Sequence, residues 1–467
     1  MERRYDAIVI GAGHNGLITA AYLAKAGKKV LVLERRPIVG GAAVTEEVYP
    51  GFKYSTCSAI VDRLAPHIIR ELNLRGYGLE FLPSESAAFA PLPDSDYLLL
   101  WKDIRKTVRE IERFSKVDAA KYTAFNRLVS RLTAFIHSLF WTPPPDPVAL
   151  RASNVKDLLQ WGWNFLRLGR RDMQQAIRIL PMSVADFLDE WFETEVLKAT
   201  LATRGIAGSF LGPRWPGTAF LLLYHSLGAW GGVPGVEFVR GGMGSLTQAI
   251  AQAAQACGAQ LRTQAEVAQV LIRDGKATGV ALQGGEEISG TVVISNADPR
   301  RTFLKLVDPV LLDPHFLWQV RSIKFRGSSA KVDLSLGELP NFTCLPGDGL
   351  HLRGVISISP SLDYLERAHD DAKYGSYSQK PFLYITIPSL TDPSLAPPGR
   401  HVMSILAQHA PYYLKDGSWE GRCEEFGDRV IDTLAEYAPN LKGAILHRQV
   451  LTPLDLEEIY GLTEGNL

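Results

Sequence analysis

The first forty residues of the chain follow the order of a nucleotide-binding strand–turn–helix–strand unit. An apolar run at residues 5–10 leads into Gly-Ala-Gly-His-Asn-Gly at residues 11–16, and an alanine- and leucine-rich segment follows. These patterns predict a buried strand, a tight turn and a helix. A second apolar run at residues 30–33 predicts the next strand and leads into Glu34. The glycine turn therefore lies where such units hold a dinucleotide pyrophosphate.

Each glycine of the turn has its own predicted role. Gly11 allows the tight turn, Gly13 leaves space for a pyrophosphate, and Gly16 lets the helix lie close against the strand. The helix N-terminus then faces the phosphates with unpaired N–H groups and the positive end of its dipole. His14 is expected to serve the geometry of the loop, and Asn15 is expected to help begin the helix.

Two features beyond the turn select among the nucleotides. Glu34 lies twenty-three residues after Gly11, where a carboxylate can accept hydrogen bonds from ribose hydroxyls and would repel a 2′-phosphate. The pair Gly40 and Gly41 follows, and it favours FAD because nothing in a plain NAD domain requires it. The alternative interpretation is a glycine-rich helix cap that binds no ligand. Since the strand, the acidic residue and the second glycine pair agree, the dinucleotide site is favoured.

Longer stretches of the sequence resemble the phytoene-desaturase-related flavoprotein group, and the β-carotene ketolases of the desaturase type are also similar. The resemblance covers essentially the whole chain, and the matching stretches are residues 11–17, 34–47, 50–53, 188–193, 197–203, 241–246, 293–296 and 437–440. It implies an α/β fold with a Rossmann-like FAD/NAD(P)-binding domain of the glutathione reductase/amine oxidase type. An inserted helical region and a second mixed sheet for the substrate complete the implied fold, and FAD is the implied cofactor.

The resemblance also implies further cofactor contacts. Arg35, directly after Glu34, is implied to contact FAD. Val267 is implied to lie beside the adenine and to contact it through its backbone; the alternative is a β-branched core residue in a strand. Catalytic residues stay unassigned, and the sequence contains no metal-binding motif.

The pattern of apolar residues predicts three units. Residues 1–75 and 236–300 form a discontinuous FAD-binding domain, because the alternating helix and strand patterns return after residue 235. Residues 76–235 form a mainly helical insertion, and residues 301–467 form a substrate-domain sheet and helix. Within the first unit a helix is also predicted at residues 60–74, and Asp274-Gly275 predicts a hairpin between two strands.

The C-terminal end differs from the pattern of the family. Members of this group continue past a Gly-Asn pair like Gly465-Asn466 into a further strand and a glycine-rich segment that lies against the flavin ring. The resemblance therefore implies that residues beyond Leu467 would complete both the FAD domain and the substrate pocket. We expect either a fragment or a protein that works with an incomplete site.

Composition excludes several classes of protein. Fifty basic residues balance fifty acidic ones, which leaves no electrostatic footprint for nucleic acid. Four scattered cysteines provide no close pair for a metal or a redox disulfide, and they fit a reducing compartment; they are Cys57, Cys257, Cys344 and Cys423. The two-cysteine chemistry of pyridine nucleotide-disulfide reductases is therefore excluded.

The sequence predicts neither a targeting peptide nor a membrane span, so a cytoplasmic location is expected. The stretch most similar to a membrane span is residues 217–233, but His225, Ser226 and several glycines interrupt it. A buried or substrate-lining helix is the favoured interpretation of this stretch, and peripheral membrane contact is the other.

Flavin supplies hydride chemistry itself, so the protein need only orient the substrate and set its surroundings. His225 is a candidate proton relay, and His409 with Tyr412 and Tyr413 is a candidate lining of the second sheet; ordinary packing is the alternative for each. Aromatic residues of the insertion would suit an apolar, isoprenoid-like substrate, although core packing is the favoured explanation; they are Trp191, Phe210, Trp215, Phe220, Tyr224 and Trp230.

The absence of a second dinucleotide fingerprint bears on the electron acceptor. Since NAD(P)H-dependent flavin reductases usually need one, oxygen, a quinone or another acceptor is expected to reoxidise the flavin. The favoured activity is FAD-dependent dehydrogenation or desaturation of an apolar small molecule. Two alternatives stay open: an amine oxidase-like flavoenzyme, and a non-catalytic remnant of the fold that acts as an interaction protein.

Overall fold

Two large β-sheets organise the chain. The structure is a computed structural model that describes residues 4–61, 64–84, 86–141, 152–227 and 237–467. The strands of this part are β1 (Tyr5–Ile10), β2 (Val30–Leu33), β3 (Glu46–Tyr49), β4 (Phe52–Tyr54), β5 (Phe81–Pro83), β6 (Ser86–Pro91), β7 (Tyr97–Trp101), β8 (Glu237–Val239), β9 (Gln260–Arg262), β10 (Val267–Arg273), β11 (Lys276–Leu282), β12 (Glu287–Ser295), β13 (Ser329–Leu336), β14 (Val355–Ile358), β15 (Phe382–Thr386), β16 (His401–Gln408) and β17 (Ile445–Leu451).

Helices surround both sheets. They are α1 (His14–Lys25), α2 (Pro66–Glu71), α3 (Ile104–Glu112), α4 (Lys116–Leu139), α5 (Ala152–Arg167), α6 (Gly169–Ile179), α7 (Val184–Asp189), α8 (Glu195–Ile206), α9 (Thr218–His225), α10 (Met243–Ala256), α11 (Pro299–Arg301), α12 (Pro314–Ser322), α13 (Leu362–Lys373), α14 (Trp419–Ala435), α15 (Leu441–Ala444) and α16 (Pro453–Tyr460).

The first sheet has six strands in the order β10-β11-β12-β1-β2-β9. Strands β12, β1, β2 and β9 run parallel, while β10 and β11 pair antiparallel through the predicted Asp274-Gly275 turn. Helices α1 and α10 pack together beside this sheet, where Leu17 and Ile250 are fully buried. Burial of both faces explains why β1 and β2 are almost uniformly apolar.

The second sheet has seven strands in the order β17-β13-β16-β15-β14-β6-β7. Its pairings are antiparallel except for β14 with β6, which is parallel. Every residue of β13 is buried, since α14 contributes Phe426 and Val430 to one core against the sheet. A separate apolar core holds α4, α7, α8 and α9 together around Phe125 and Phe187.

The helix predicted at residues 60–74 is wrong in its length. Within the described residues of this range, the α-helix covers only Pro66–Glu71. Pro66 takes the first helical position because its ring has no N–H and would collide with a preceding helical turn. Asn73 then adopts a left-handed conformation with φ 49°, which ends the helical path.

The predicted division into three units stays a prediction. Strands β6 and β7 come from the predicted helical insertion, yet β6 pairs with β14 of the predicted substrate domain. Strand β5 of the same range pairs with β8. The short strands of residues 81–101 therefore tie the helical region to both neighbouring segments of the chain.

Two histidines lie against each other in the interior. The rings of His369 on α13 and His409 after β16 are 5.2 Å apart between centroids. Both residues are fully buried, and their ring nitrogens have no hydrogen-bond partner among the described residues. Burial, reinforced by the His369 ring, lowers the pKa of His409 to about 3.

Acid should therefore destabilise the fold through His409. The unfolded imidazole takes up a proton near its ordinary pKa of about 6.5, whereas the folded one does not. Stability is thus complete above about pH 6.5 and falls by up to ~1.4 kcal/mol per unit as the pH drops toward 4. In urea unfolding between pH 7.5 and 4, His409→Phe should flatten this slope. His315→Phe on the exposed side of α12 is the control, and equal slopes in both variants would contradict the expectation.

Candidate active site

A cavity of about 550 Å³ lies where the parallel strands of the first sheet end. Ile10, Leu33 and Asn296, which end or follow β1, β2 and β12, all line it. Ligands of doubly wound sheets bind at these carboxyl ends. The chain thus places a partly polar crevice where the glycine turn predicts a dinucleotide.

The glycine turn is required by the packing of the protein itself. Gly11 has φ +93°, and a Cβ on Gly16 would lie 2.3 Å from the Gly11 carbonyl oxygen. A Cβ on Gly13 would lie 2.7 Å from the side-chain nitrogen of Asn296. The roles predicted for Gly11 and Gly16, a tight turn and close helix packing, agree with this geometry.

Helix α1 begins at His14 with Gly13 as its N-cap, and no side chain caps it. The expectation that Asn15 helps to begin the helix by capping is wrong, because Asn15 lies one residue inside the helix. His14 and Asn15 instead both line the cavity. The first N–H groups of α1 therefore stay available to an anionic ligand, which fits the pyrophosphate of FAD.

Glu34 holds the turn together and also lines the cavity. Its carboxylate is buried and accepts hydrogen bonds from the backbone N–H of Ala12 at 2.8 Å and of Arg36 at 2.9 Å. Each carboxylate oxygen can accept more than one hydrogen bond. The remaining acceptor positions fit the ribose hydroxyls of FAD.

The second glycine pair lies directly against the turn. The N–H of Gly40 donates to the Ala12 carbonyl at 2.8 Å, and Gly13 and Gly40 form a parallel bridge. A Cβ on Gly41, at φ +60°, would lie 3.2 Å from the Gly13 Cα. Gly41 lines the cavity, while Gly40 lies behind it. The contact of Gly40 and Gly41 with FAD stays a prediction. Their packing against the glycine turn was not predicted from the sequence.

The outer part of the cavity contains Arg35, Arg301 and Val267. Arg35 donates to the backbone carbonyls of Glu458 and Ile459 at 2.8 and 2.6 Å. Burial and the neighbouring Arg301 lower the pKa of Arg35. Val267 is buried at the start of β10. Two cationic side chains at one end of the cavity suit a diphosphate ligand.

Sequence reasoning missed two parts of this cavity. Asn296 donates its N–H to the Ile10 carbonyl at 2.8 Å and places its side chain beside Gly11, Gly13 and Gly16. The signal was available, because Asn296 follows a strand predicted as buried and such strand ends meet at one edge. The segment 460–466 also lines the cavity; the Gly465-Asn466 pair was recognised there, but no cofactor contact was predicted from it.

A second cavity of about 460 Å³ adjoins the first and shares His14, Ala42 and Leu462 with it. It lies between α8 and one face of the seven-stranded sheet. Apolar side chains from these elements form much of its wall; among them are Ile60, Ala87, Ala88, Leu100, Leu201, Val355 and Leu406.

Lys331 is a buried polar residue of this wall, and hydrogen bonds hold its side chain in place. Its ammonium donates to Asp333 and, at 2.5 Å, to the Ser404 hydroxyl. Both charged side chains are buried, and one oxygen of Asp333 has no hydrogen-bond partner in the described part of the chain. Burial raises the pKa of Asp333, while Lys331 opposes the shift.

His225, predicted as a proton relay, does line the second cavity. Its Nδ1 is 2.6 Å from the Arg204 carbonyl oxygen and therefore donates to it. His409, Tyr412 and Tyr413 line neither cavity, so the structure does not place them with the site.

The aromatic residues predicted to surround the substrate pack elsewhere. Trp191 contacts Phe125 of the helical core, and Trp215 contacts the ring of His369. Of the six candidates, Trp230 lies outside the described residues, and the other five line neither cavity. Residues 218–225 form α9, whose Leu222 and Leu223 are buried, which favours the buried-helix interpretation of that stretch.

The four cysteines are unpaired. Cys57 lines the second cavity, and burial raises its pKa to about 12. A thiol with so high a pKa is a poor nucleophile. The geometry therefore agrees with the exclusion of disulfide chemistry.

An uncapped helix N-terminus, a buried carboxylate at the end of the second strand and an adjoining second cavity are the features expected of an FAD-dependent oxidoreductase. Residues 16–438 match the family described as flavin containing amine oxidoreductase, and the chain belongs to this family. FAD is its cofactor, as the sequence predicted. The predicted α/β fold class is likewise confirmed.

Two curated relatives match nearly the full chain. The rat protein named pyridine nucleotide-disulfide oxidoreductase domain-containing protein 2 is 38% identical over 490 residues, covering 100% of this chain and 84% of the relative. A component of the limonene dehydrogenase of Castellaniella defragrans is 27% identical, covering 97% of this chain and 83% of the relative. The resemblance to the rat protein's group, predicted from the motifs, is confirmed.

The fold also recurs in solved structures. An oxidoreductase from Methanosarcina mazei superimposes with a TM-score of 0.60 at 19% identity, covering 96% of this chain and 87% of that one. At this identity the likeness concerns the fold alone. Across the described residues, no helix combines the length and apolar character needed to cross a bilayer.

Glu34→Ala should weaken both folding and FAD binding. Two buried backbone N–H groups would lose their acceptor, at a cost of about 1–3 kcal/mol, and the ribose would lose a charged partner. We expect flavin affinity to fall by about tenfold or more, measured by titrating apoprotein with FAD. Glu458→Gln, an exposed change nearby on α16, is the control; equal affinities for both variants would refute the role of Glu34.

Lys331→Met should leave Asp333 buried without its partner. Removing one member of a buried ion pair typically costs about 3–5 kcal/mol. Adding Asp333→Asn should recover at least half of the loss in urea unfolding, because the uncompensated carboxylate disappears. Lys380→Met, which removes an exposed pair with Glu436, should cost less than about 1 kcal/mol. A double variant no more stable than Lys331→Met would show that the charge pair is not the cause.

Proposed function

We propose that the protein is a dehydrogenase or desaturase that removes a hydride from an apolar, isoprenoid-like small molecule. The observation that carries this proposal is the apolar second cavity, which meets the nucleotide cavity at His14, Ala42 and Leu462. Its volume of about 460 Å³ lies in the range of small-molecule sites. A substrate in it would lie next to the cofactor.

The charge of the cavity wall distinguishes between substrate classes. The described residues that line it include Arg204 and Lys331 but no acidic side chain. An alkylammonium substrate would find no acidic side chain among these lining residues to balance its charge, because the nearby Asp333 is already paired with Lys331; this disfavours its binding. A neutral hydrocarbon avoids this cost. The wall therefore favours C–C desaturation over the amine oxidation that the fold also permits.

When bound, FAD supplies the acceptance of a hydride. Desaturation also releases one proton from the neighbouring carbon. His225, whose Nδ1–H is held by the Arg204 carbonyl, carries its acceptor lone pair on Nε2 when neutral. We assign it the role of proton acceptor. Lys331, held by Asp333 and Ser404, is a second fixed polar group on the same wall.

The electron acceptor completes the reaction. With no second dinucleotide fingerprint in the sequence, oxygen or a quinone is the proposed oxidant of the reduced flavin. The name of the Castellaniella relative specifies limonene, an apolar hydrocarbon, as its substrate, which supports the proposed class. The cytoplasmic location predicted from the sequence stays a prediction.

Anaerobic flavin reduction tests the proposal directly. The holoprotein is mixed with an isoprenoid hydrocarbon, with a primary amine of the same carbon skeleton and with an acyl ester. Bleaching of the flavin by the hydrocarbon alone supports the proposal. Bleaching by the amine alone would replace it with amine oxidation, and flavin that no compound bleaches would overturn it.

Ile60→Trp should fill part of the second cavity. Displacing the substrate by about 1 Å can slow hydride transfer by about a hundredfold, while flavin content stays unchanged. Stopped-flow bleaching rates measure the effect. Leu446→Trp, at an exposed position of β17, is the size-matched control. An unchanged rate in Ile60→Trp would show that the reaction occurs elsewhere.

A further inference from the structure

Exposed apolar side chains are concentrated on one part of the molecule. Of the twenty-two large apolar side chains that are exposed in the described residues, nine lie within residues 140–180. They are Phe140, Trp141, Val155, Leu158, Leu159, Trp163, Leu166, Ile177 and Leu180. We call this set the α5–α6 surface. Clustering of this kind marks an interaction site, whereas scattered exposed apolar residues are ordinary.

Helix α5 is apolar on two sides. Phe165 faces inward and packs on Phe135 of α4, with ring centroids 5.5 Å apart. Val155, Leu159 and Trp163 follow one another at intervals of four residues on the outer side, where Leu159 is 69% and Trp163 61% exposed. A surface helix normally turns its apolar stripe toward the core and its polar side toward solvent. The outer stripe of α5 departs from this pattern, and its side chains are exposed in the described part of the chain.

The exposed charges described around the stripe are mostly basic. Among the side chains described over residues 155–180, the exposed charged ones are Lys156, Arg167, Arg170, Arg171 and Arg178, and of these Arg178 is paired with the exposed Glu190. Asp172 is buried and pairs with Arg131. Apolar and aromatic residues bordered by lysine and arginine are typical of helices that lie in the interface of a bilayer. The basic border matches an anionic lipid surface.

A second copy of the chain is a poorer occupant. In a symmetric dimer the same surface would face itself, so Arg167, Arg170 and Arg171 would meet their own copies. Like charges brought together across an interface are repulsive. A bilayer with anionic headgroups instead complements the basic border while it covers the apolar stripe.

We propose that the α5–α6 surface binds the surface of a bilayer that contains anionic lipids, without crossing it. The surface also reaches the second cavity. Phe140 contacts Tyr224, with ring centroids 5.7 Å apart, and the next residue, His225, lines that cavity. Membrane binding itself does not depend on the proposed substrate, and its test uses no activity.

Vesicle co-sedimentation of the flavin-loaded protein tests the proposal. Vesicles of phosphatidylcholine alone are compared with vesicles of equal parts phosphatidylcholine and phosphatidylglycerol. We expect binding to the anionic vesicles, weakened by added salt. Leu159→Glu with Trp163→Glu should reduce it by at least tenfold. Val310→Glu with Trp318→Glu, a matched pair on another exposed face, should leave it unchanged.

Four results would overturn the proposal. The first is wild-type protein that stays in the supernatant with anionic vesicles. The second is equal binding by the two double variants. The third is a concentration-dependent dimer that Leu159→Glu with Trp163→Glu dissociates in analytical ultracentrifugation, since the surface would then bind another copy. Arg167→Gln with Arg170→Gln, which leaves the apolar stripe intact, should lose the preference for anionic vesicles; retention of that preference would also contradict the proposal.

Discussion

The nucleotide half of the structure depends on the close approach of α1 to the end of β1. A Cβ on Gly16 would lie 2.3 Å from the Gly11 carbonyl oxygen, so any side chain there would push the helix away from the strand. Helix α10 packs on α1 and would have to move with it. The uncapped N-terminus of α1 points into the cavity only because this contact holds.

The start of α1 also connects the two cavities. His14 is the first residue of the helix and lines both of them. The first cavity is built at strand ends, whereas the second cavity, the proposed substrate site, is built on the face of the other sheet. Because one short segment borders both, their relative position follows from the packing of α1 and does not need a separate hinge or lid.

Local sequence patterns predicted those parts of the structure that depend only on residues close together in the chain. The glycine turn, Glu34 and the Asp274-Gly275 hairpin depend on neighbouring residues, and all were readable. Lys331 and Asp333 alternate along β13, a pattern that indicates a solvent-facing side of a strand. They are buried because α8 lies across that face from a distant part of the sequence. Asn296 was missed although it follows a strand predicted as buried, because its partners are the glycines nearly three hundred residues earlier.

Glu34 has a consequence for how the cofactor enters. Its two hydrogen bonds to the Ala12 and Arg36 backbone hold the phosphate loop in shape without any ligand. A loop that is already ordered loses little conformational entropy when it captures its ligand. The carboxylate thus has a second effect besides the ribose contact predicted for it: it orders the loop during folding, before the ligand binds.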